Sequence, residues 1–156
     1  MKNNILIASK NVDKANEIKA IFNRNFLSLN DIEEVEEVEE TGNTFAENAQ
    51  LKARYYYKCF NVPVIADDSG LVVPALNGQP GIYSARYAGE LANYHDNNIK
   101  LLNTMINCKG DDRKAFFICH AVYYDGNNVI EAEGRVNGYI TENLRGERGF
   151  GYDPLF

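Results

Sequence analysis

The sequence predicts an α/β fold with a mixed sheet, and three features lead to that prediction. In the first half of the chain of 156 residues, short apolar runs alternate with amphipathic segments, which favours parallel strands joined by helices. The second half contains two β-rich runs, residues 113–124 and 129–136, separated by turn residues at 125–128, which predicts an antiparallel hairpin. The length suits one domain over residues 1–156, and no linker or internal repeat divides it.

The first elements follow from hydrophobic spacing. Residues 4–8 are a continuous apolar run, typical of a strand that is buried on both faces. Residues 12–23 carry apolar side chains at helical spacing, and residues 26–29 predict a second strand. The acidic segment, residues 31–40, stays undecided because apolar residues recur every three positions among its glutamates; a solvated face or a flexible loop is favoured over a partner surface.

A longer helix is predicted over residues 45–60. Thr44 and Glu47 form a capping box, in which the threonine accepts a helical N–H and the glutamate reaches back. Residues 62–66 then predict a buried strand that ends at the polar residues 67–70.

The rest of the chain begins with an irregular excursion. Residues 74–90 hold two of the four prolines and three glycines, which favours a long functional loop. Apolar residues between 99 and 106 mark a further helix before the hairpin.

Charge and composition restrict the function. Seven of the 22 acidic residues lie in residues 31–40, so the rest of the chain has 16 basic and 15 acidic residues, and an anionic small molecule is allowed as a ligand. No basic stripe suits a nucleic acid polymer. No apolar run is long enough to cross a membrane and no secretory signal is present, so a cytoplasmic protein is expected. The three cysteines lack metal or redox spacing and are expected to be free and mostly buried.

The first candidate for chemistry is the stretch Ser9, Asn11 and Lys14, where a buried strand leads into a helix. Helix N–H groups, a hydroxyl, an amide and a lysine together suit a phosphate group. Ordinary N-capping by Ser9 or Asn11 explains the same residues equally well.

Two further candidates involve inward-pointing polar groups. Asn48 and Lys52 lie four residues apart within the apolar face of the helix over 45–60, where a lysine needs either a structural carboxylate or a ligand. Asp67 and Asp68 are adjacent carboxylates that repel each other unless a cation is near, and Mg²⁺ is the natural choice. In strand geometry they point to opposite sides, so one of them would contact the metal. An Asx turn is the alternative.

A last candidate lies near the end of the chain. Phe150 and Tyr152 flank a glycine and precede Asp153, which suits stacking against a flat base, although an ordinary apolar strand start explains the pattern alone. His95 and His120 have no partner at catalytic or metal-ligating spacing, which argues against histidine chemistry.

Taken in order, these stretches resemble the inosine triphosphate pyrophosphatase family, which hydrolyses non-standard purine nucleoside triphosphates. The matching stretches span nearly the whole chain: Ser9 to Lys14, Glu40 to Lys52, Asp67 to Leu71, Pro80 to Tyr87 and Phe150 to Pro154.

The resemblance implies a fold, a reaction and a set of roles. The fold is an elongated mixed β-sheet flanked by helices, in two lobes with a central substrate cleft, and the protein is a homodimer. The reaction is Mg²⁺-dependent hydrolysis of ITP, dITP or XTP to the monophosphate and pyrophosphate, which cleanses the nucleotide pool. Asp68 is the catalytic base, and Asp68 and Glu40 bind the metal. The substrate-binding residues are Ser9, Lys10, Asn11, Val12, Asp13, Lys14, Asn48, Lys52, Ser69, Phe150, Gly151, Tyr152 and Asp153.

The chain departs from the family at its end. The family continues beyond residues 150–154 with a strand and a helix that bring a lysine and a Ser-His-Arg motif to the base. This chain ends at Phe156, so the C-terminal part of the family fold is expected to be absent. A non-catalytic nucleotide-binding module, or an inactive fragment of such an enzyme, is therefore the alternative, and a general phosphatase is a weaker one. Turnover and product identity separate the three.

Overall fold

The structure is a computed structural model that describes residues 4–22 and 26–156. These residues form a mixed five-stranded sheet in the order β2-β1-β3-β4-β5, and β1 pairs in parallel with both β2 and β3. The strands are β1 (Ile5–Ile7), β2 (Phe26–Ser28), β3 (Val64–Val72), β4 (Lys114–Tyr124) and β5 (Val129–Tyr139). The helices are α1 (Val12–Ile21), α2 (Phe45–Phe60) and α3 (Tyr94–Thr104). The predicted α/β class with a mixed sheet is confirmed.

The chain divides into two units, and each has its own apolar core. The first unit extends to Asp68 and includes His120–Glu133, and the second contains Ser69–Cys119 and Gly134–Phe156. The first core joins α2 to β1 and β3, and its buried members are Leu6, Ala8, Leu29, Ala49, Ala53, Tyr56, Val64, Ala66 and Val122. The second core is built from Leu71, Val73, Tyr87, Leu101, Met105, Ala115, Ile140, Tyr152 and Leu155.

Helix α2 begins and ends where the sequence predicts. Thr44 Oγ1 accepts the Glu47 N–H at 3.1 Å, and the Glu47 carboxylate accepts the N–H of Asn43 at 2.6 Å, one residue further back than in the predicted capping box. The helix ends at Asn61, which adopts the left-handed conformation (φ 51°) that asparagine tolerates. Helical spacing predicts an apolar face of Phe45, Leu51, Tyr55, Tyr56 and Cys59. This prediction is partly wrong: Tyr56 is buried, but Cys59 is exposed, and Ala49 and Ala53 complete the buried stripe.

Strand β3 is longer than predicted and shifted along the chain. It starts at Val64 and not at residue 62 as predicted, and it continues through residues 67–70 to Val72. The prediction that Asp67 and Asp68 end the strand is therefore wrong, and so is the Asx-turn alternative. Because the strand continues through both residues, the two carboxylates point to opposite sides of the sheet, as predicted for strand geometry.

The acidic segment is neither helix nor strand beyond a short 3₁₀ turn at Leu29–Asp31. Its apolar residues, Ile32, Val35 and Val38, pack against the first core, whereas Glu33, Glu34, Glu36, Glu37 and Glu39 are exposed. The apolar residues that recur every three positions therefore attach an irregular segment to the core. The exposed glutamates form the solvated face that the sequence favours.

In the second half, the hairpin and the irregular excursion are confirmed, and β5 runs three residues beyond the predicted end. Helix α3 starts earlier than its predicted apolar positions, and it buries Asn97, Asn98 and Leu101, while Ile106 lies beyond its end and is exposed. The three cysteines, all in the described part of the chain, form no disulfide, but Cys59 and Cys119 are exposed, so the prediction of mostly buried thiols is wrong. In the described part of the chain, no helix has the length and apolar character needed to cross a membrane. The predicted helix residue Asn23 lies outside the described residues.

Two leucines of the second unit offer a test of its core. Leu101 is fully buried and Leu91 is fully exposed. We expect Leu101→Ala to lower the free energy of unfolding by about 2–5 kcal/mol, because the substitution removes buried methyl groups and leaves a cavity. Leu91→Ala, the matched control, should change it by less than about 0.5 kcal/mol. Urea denaturation followed by circular dichroism measures both, and equal effects would contradict the assignment of this core.

Candidate active site

The centre of the site lies in the middle of β3, where two carboxylates meet partners from two helices. Asp67 Oδ2 accepts a hydrogen bond from Lys14 Nζ of α1 at 2.9 Å. Asp68 Oδ2 accepts one from Asn48 Nδ2 of α2 at 3.0 Å. Both aspartates are buried, so each depends on its partner for compensation. Because the two residues point to opposite sides of the sheet, Asp67 contacts α1 and Asp68 contacts α2.

Asn48 connects Asp68 to the loop before α2. Its side chain is buried, and while Nδ2 donates to Asp68, Oδ1 accepts the N–H of Gly42 at 2.8 Å. A Cβ atom at position 42 would lie 2.6 Å from Asn48 Oδ1 and 2.8 Å from Glu47 Cβ, so a side chain does not fit there. Gly42 is thus required by close approach of the backbone to this amide.

A second ion pair lies beside Asp68. Lys52 Nζ donates to Glu40 Oε1 at 2.8 Å, and their side chains are 12% and 25% exposed. Burial raises the pKa of Asp68 above its ordinary value, and the nearby Glu40 carboxylate adds to that rise, whereas Lys52, Asn48 and Lys14 oppose it. Asp68 is therefore the carboxylate on which the two pairs and the amide converge.

The loop before α1 caps the helix. Asn11 Oδ1 accepts the N–H groups of Asp13 and Lys14, and Ser9 Oγ accepts the N–H of Asn11 at 3.1 Å. Lys10 points to the acidic segment, where Nζ donates to Val35 O and pairs with Glu37. The capping alternative is thus present in the structure, and the role of this loop, including the exposed Val12 and Asp13, in holding phosphate stays a prediction.

The predicted base-binding residues lie in the second unit. Gly151 has φ +60°, a conformation that favours glycine, and Phe150 N–H donates to Asp153 Oδ2 at 2.9 Å. Tyr152 is buried, its hydroxyl donates to Ser84 O at 2.8 Å, and burial raises the pKa of that hydroxyl. Asp153 and Tyr152 therefore hold the loop together, and contact of the Phe150 ring with a base stays a prediction. Ser69 also lies in this unit, half-buried on β3.

Three features of these regions were not predicted from the sequence: the pairing of Lys14 with Asp67, the close packing at Gly42, and the contacts of Asn98 with the loop at Gly151. The contact between Asn98 and the loop at Gly151 has a signal in the sequence. Asn97 and Asn98 stand side by side before the apolar Ile99, Leu101 and Leu102, and a polar pair at core positions of a helix requires partners.

The family model described as the Ham1 family matches residues 5–156. The chain belongs to the Ham1 family. Among curated relatives of this Ham1-family chain, the dITP/XTP pyrophosphatase of Clostridium perfringens is 51% identical over 161 residues, covering 97% of this chain and 79% of that protein. The dITP/XTP pyrophosphatase of Listeria monocytogenes is 48% identical and is covered to 77%.

Solved structures of the Ham1 family have the same fold. The Staphylococcus aureus Ham1 protein matches with a TM-score of 0.86 and 46% identity, over 99% of this chain and 80% of that one. A HAM1 protein from Coxiella burnetii matches with a TM-score of 0.87 and 36% identity, over 100% of this chain and 81% of that one. The chain thus spans about four fifths of these relatives, and the resemblance found in the sequence is confirmed.

The donor set of this Ham1-family site fits a hard divalent cation that is shared with a ligand. Asp68 and Glu40 supply carboxylate oxygens, the donors that Mg²⁺ prefers. Within residues 4–22 and 26–156, no group of three or more His, Cys, Asp or Glu side chains could hold a metal by itself. Mg²⁺ is usually bound through one or two carboxylates together with waters and substrate phosphates, so two carboxylates suffice.

The buried Asp68 predicts an unusual dependence of stability on pH. Because its pKa in the folded state lies above the ordinary 3.8, folding penalises the ionised form. This loss of folding stability is absent below pH 3.8. It grows as the pH rises from there to the folded-state pKa, and it stays constant at higher pH. In metal-free buffer, Asp68→Asn should therefore be more stable than the unsubstituted chain at pH 8, and the difference should vanish toward pH 4. Urea midpoints measured across that range provide the check, and a variant that is less stable at pH 8 would contradict it.

Proposed function

We propose that this chain hydrolyses non-standard purine nucleoside triphosphates (ITP, dITP and XTP) to the monophosphate and pyrophosphate, and so removes them from the nucleotide pool. The observation that carries the proposal is the convergence of Lys14, Lys52, Asn48 and Glu40 on the buried Asp68 of a Ham1-family chain. Its relatives in the same family carry the name dITP/XTP pyrophosphatase.

The side chains divide the work as phosphoryl transfer requires. Lys14 and Lys52 provide positive charge for a triphosphate, and the residues from Ser9 to Asp13 line its entry at the start of α1. Both lysines are paired with carboxylates in the structure, so a triphosphate exchanges with Asp67 and Glu40 for them. This exchange is favourable because a triphosphate carries more charge than either carboxylate.

Asp68 is the base in this proposal. It takes a proton from the attacking water, the water oxygen forms a bond to phosphorus, and the bond from phosphorus to the leaving pyrophosphate breaks. A carboxylate whose pKa is raised by burial holds that proton better than an exposed one. Asn48 donates to Oδ2 and thereby fixes the orientation of the carboxylate.

Asp68 and Glu40 would hold a divalent cation, which we take to be Mg²⁺. When bound, such a cation neutralises phosphate charge and makes water more acidic. Asn48 contacts Asp68 and the loop at Gly42 in the structure, so its part in substrate binding is to keep this carboxylate in place.

The proposed function also includes selectivity for the base, a homodimer and a cytoplasmic location. Phe150 and its loop, together with Ser69, contact the nucleoside, and a group that hydrogen-bonds the 6-keto oxygen would disfavour adenine. We further propose a homodimer in the cytoplasm that binds neither a nucleic acid polymer nor a membrane.

The decisive experiment is an assay with Mg²⁺ of ITP, dITP and XTP against ATP and GTP, following the monophosphate, pyrophosphate and phosphate by ³¹P NMR. We expect pyrophosphate from the first three. Asp68→Asn should lower kcat by about 100-fold or more, since it removes the base. Asp112→Asn, at an exposed position, is the control and should be neutral. Full activity of Asp68→Asn contradicts the mechanism, release of phosphate indicates a general phosphatase, and binding without turnover indicates a nucleotide-binding module.

The role of Lys14 is tested against a lysine of the same helix. Lys14→Met should raise the KM for ITP by about tenfold or more, the effect of losing one charged hydrogen bond. Lys19→Met, which among the described residues breaks an ion pair with Asp31 at 3.6 Å, should leave KM unchanged.

Because Lys14→Met also leaves Asp67 without its lysine partner, the double variant Lys14→Met/Asp67→Asn separates stability from binding. It should recover thermal stability but not KM, since both charges of the pair are removed together. Recovery of both would show that the lysine acts only through the ion pair.

A further inference from the structure

Two aromatic rings of the second unit meet beside the predicted base-binding loop. The rings of Tyr94, at the start of α3, and Phe150 lie 6.1 Å apart between centroids and are tilted by 40°. One side chain connects the backbones of both segments: Asn98 Nδ2 donates to Tyr94 O and to Gly151 O, each at 2.8 Å. One amide thus joins the backbones of the two segments that carry the rings.

That amide is only half satisfied. Asn98 is 2% exposed, and its Oδ1 accepts no hydrogen bond from any described residue. Flipping the amide would bring Oδ1 against the two carbonyl oxygens that Nδ2 now contacts, so the observed orientation is fixed. A buried acceptor without a partner costs stability. Asn98 is therefore a poor choice for the core unless its two donated bonds serve a purpose.

The neighbouring Asn97 shows the contrast. It is equally buried, yet its Oδ1 accepts Ala88 N–H at 2.7 Å and its Nδ2 donates to Ala85 O at 3.0 Å. Asn97 is thus fully used within the fold, whereas Asn98 is used only toward Tyr94 and Gly151.

We infer that Asn98 is a positioning residue for nucleobase recognition, which acts by holding the Phe150 ring against Tyr94 in the geometry that stacks on a purine. This inference rests on the proposed function. The other contacts of the loop agree with it. Asp153 accepts Phe150 N–H and the Tyr152 hydroxyl contacts Ser84 O, but neither joins the loop to α3. Without Asn98, the second core still contains both Tyr152 and Leu101 of α3. The described hydrogen bond that sets the register of the loop backbone against the Tyr94 segment is lost, and stacking depends on ring geometry.

The experiment compares base-dependent with base-independent binding. In Asn98→Leu and Asn98→Ala, which lack a side-chain donor, KM for ITP should rise about fivefold, within the range for one or two hydrogen bonds, at unchanged kcat. The inhibition constant of inorganic tripolyphosphate, which offers phosphates without a base, should stay the same. The effect of Asn98→Leu should also be largely lost in a Phe150→Leu background, because residues that act through one another are not additive.

Asn97→Leu is the matched control. We expect it to lower the melting temperature more than Asn98→Leu does, because it breaks a fully satisfied amide, and to leave KM for ITP unchanged. Unchanged KM in a folded Asn98 variant overturns the inference, as does a parallel rise in the tripolyphosphate constant, additivity with Phe150→Leu, or unfolding of both Asn98 variants. If the unsubstituted chain hydrolyses no purine nucleoside triphosphate, the proposed function fails and the inference falls with it.

Discussion

The constraint on which the first unit depends is the placement of the ionisable Asp68 inside the sheet. A carboxylate at mid-strand cannot reach bulk water, so the chain must bring polar partners to it. Asn48 comes from a helix whose start is capped by Thr44, and that amide in turn requires a glycine at position 42. Capping, close packing and strand continuity therefore all serve one acidic group. The raised pKa of Asp68 is the remaining cost of this arrangement.

Much of the fold follows from local rules. The bounds of α2 were predictable because a capping threonine and an apolar stripe agree, and the hairpin because turn residues separate two β-rich runs. The length of β3 was not, because aspartate, serine and glycine favour turns locally, while partners distant in sequence stabilise them in a strand. The conformation of the acidic segment also depends on tertiary contacts, because its valines lie in neither a helix nor a strand and pack against the first core.

The site divides in the same way. The inward direction of Asn48 and Lys52 was predictable, because helical spacing fixes which residues share a face. The partners of the two lysines were not predictable, because nothing in the spacing links Lys52 to Glu40, or Lys14 to Asp67, which lies 53 positions away. The order of the matching motifs identified the family, but the motif at residues 150–153 did not show that Tyr152 and Asp153 serve the loop itself, nor that Asn98 fastens it.

The paired lysines have a consequence for what the site retains. Lys14 and Lys52 are each neutralised by a carboxylate of the chain, so an anion gains attraction only by displacing those groups. A ligand that reaches both lysines displaces two carboxylates in one event, because engaging the first places it at high effective concentration near the second. A single phosphate group has no such advantage and must compete with each carboxylate separately. In the proposed reaction, an anion that contacts both lysines is therefore retained longer than one that contacts a single lysine.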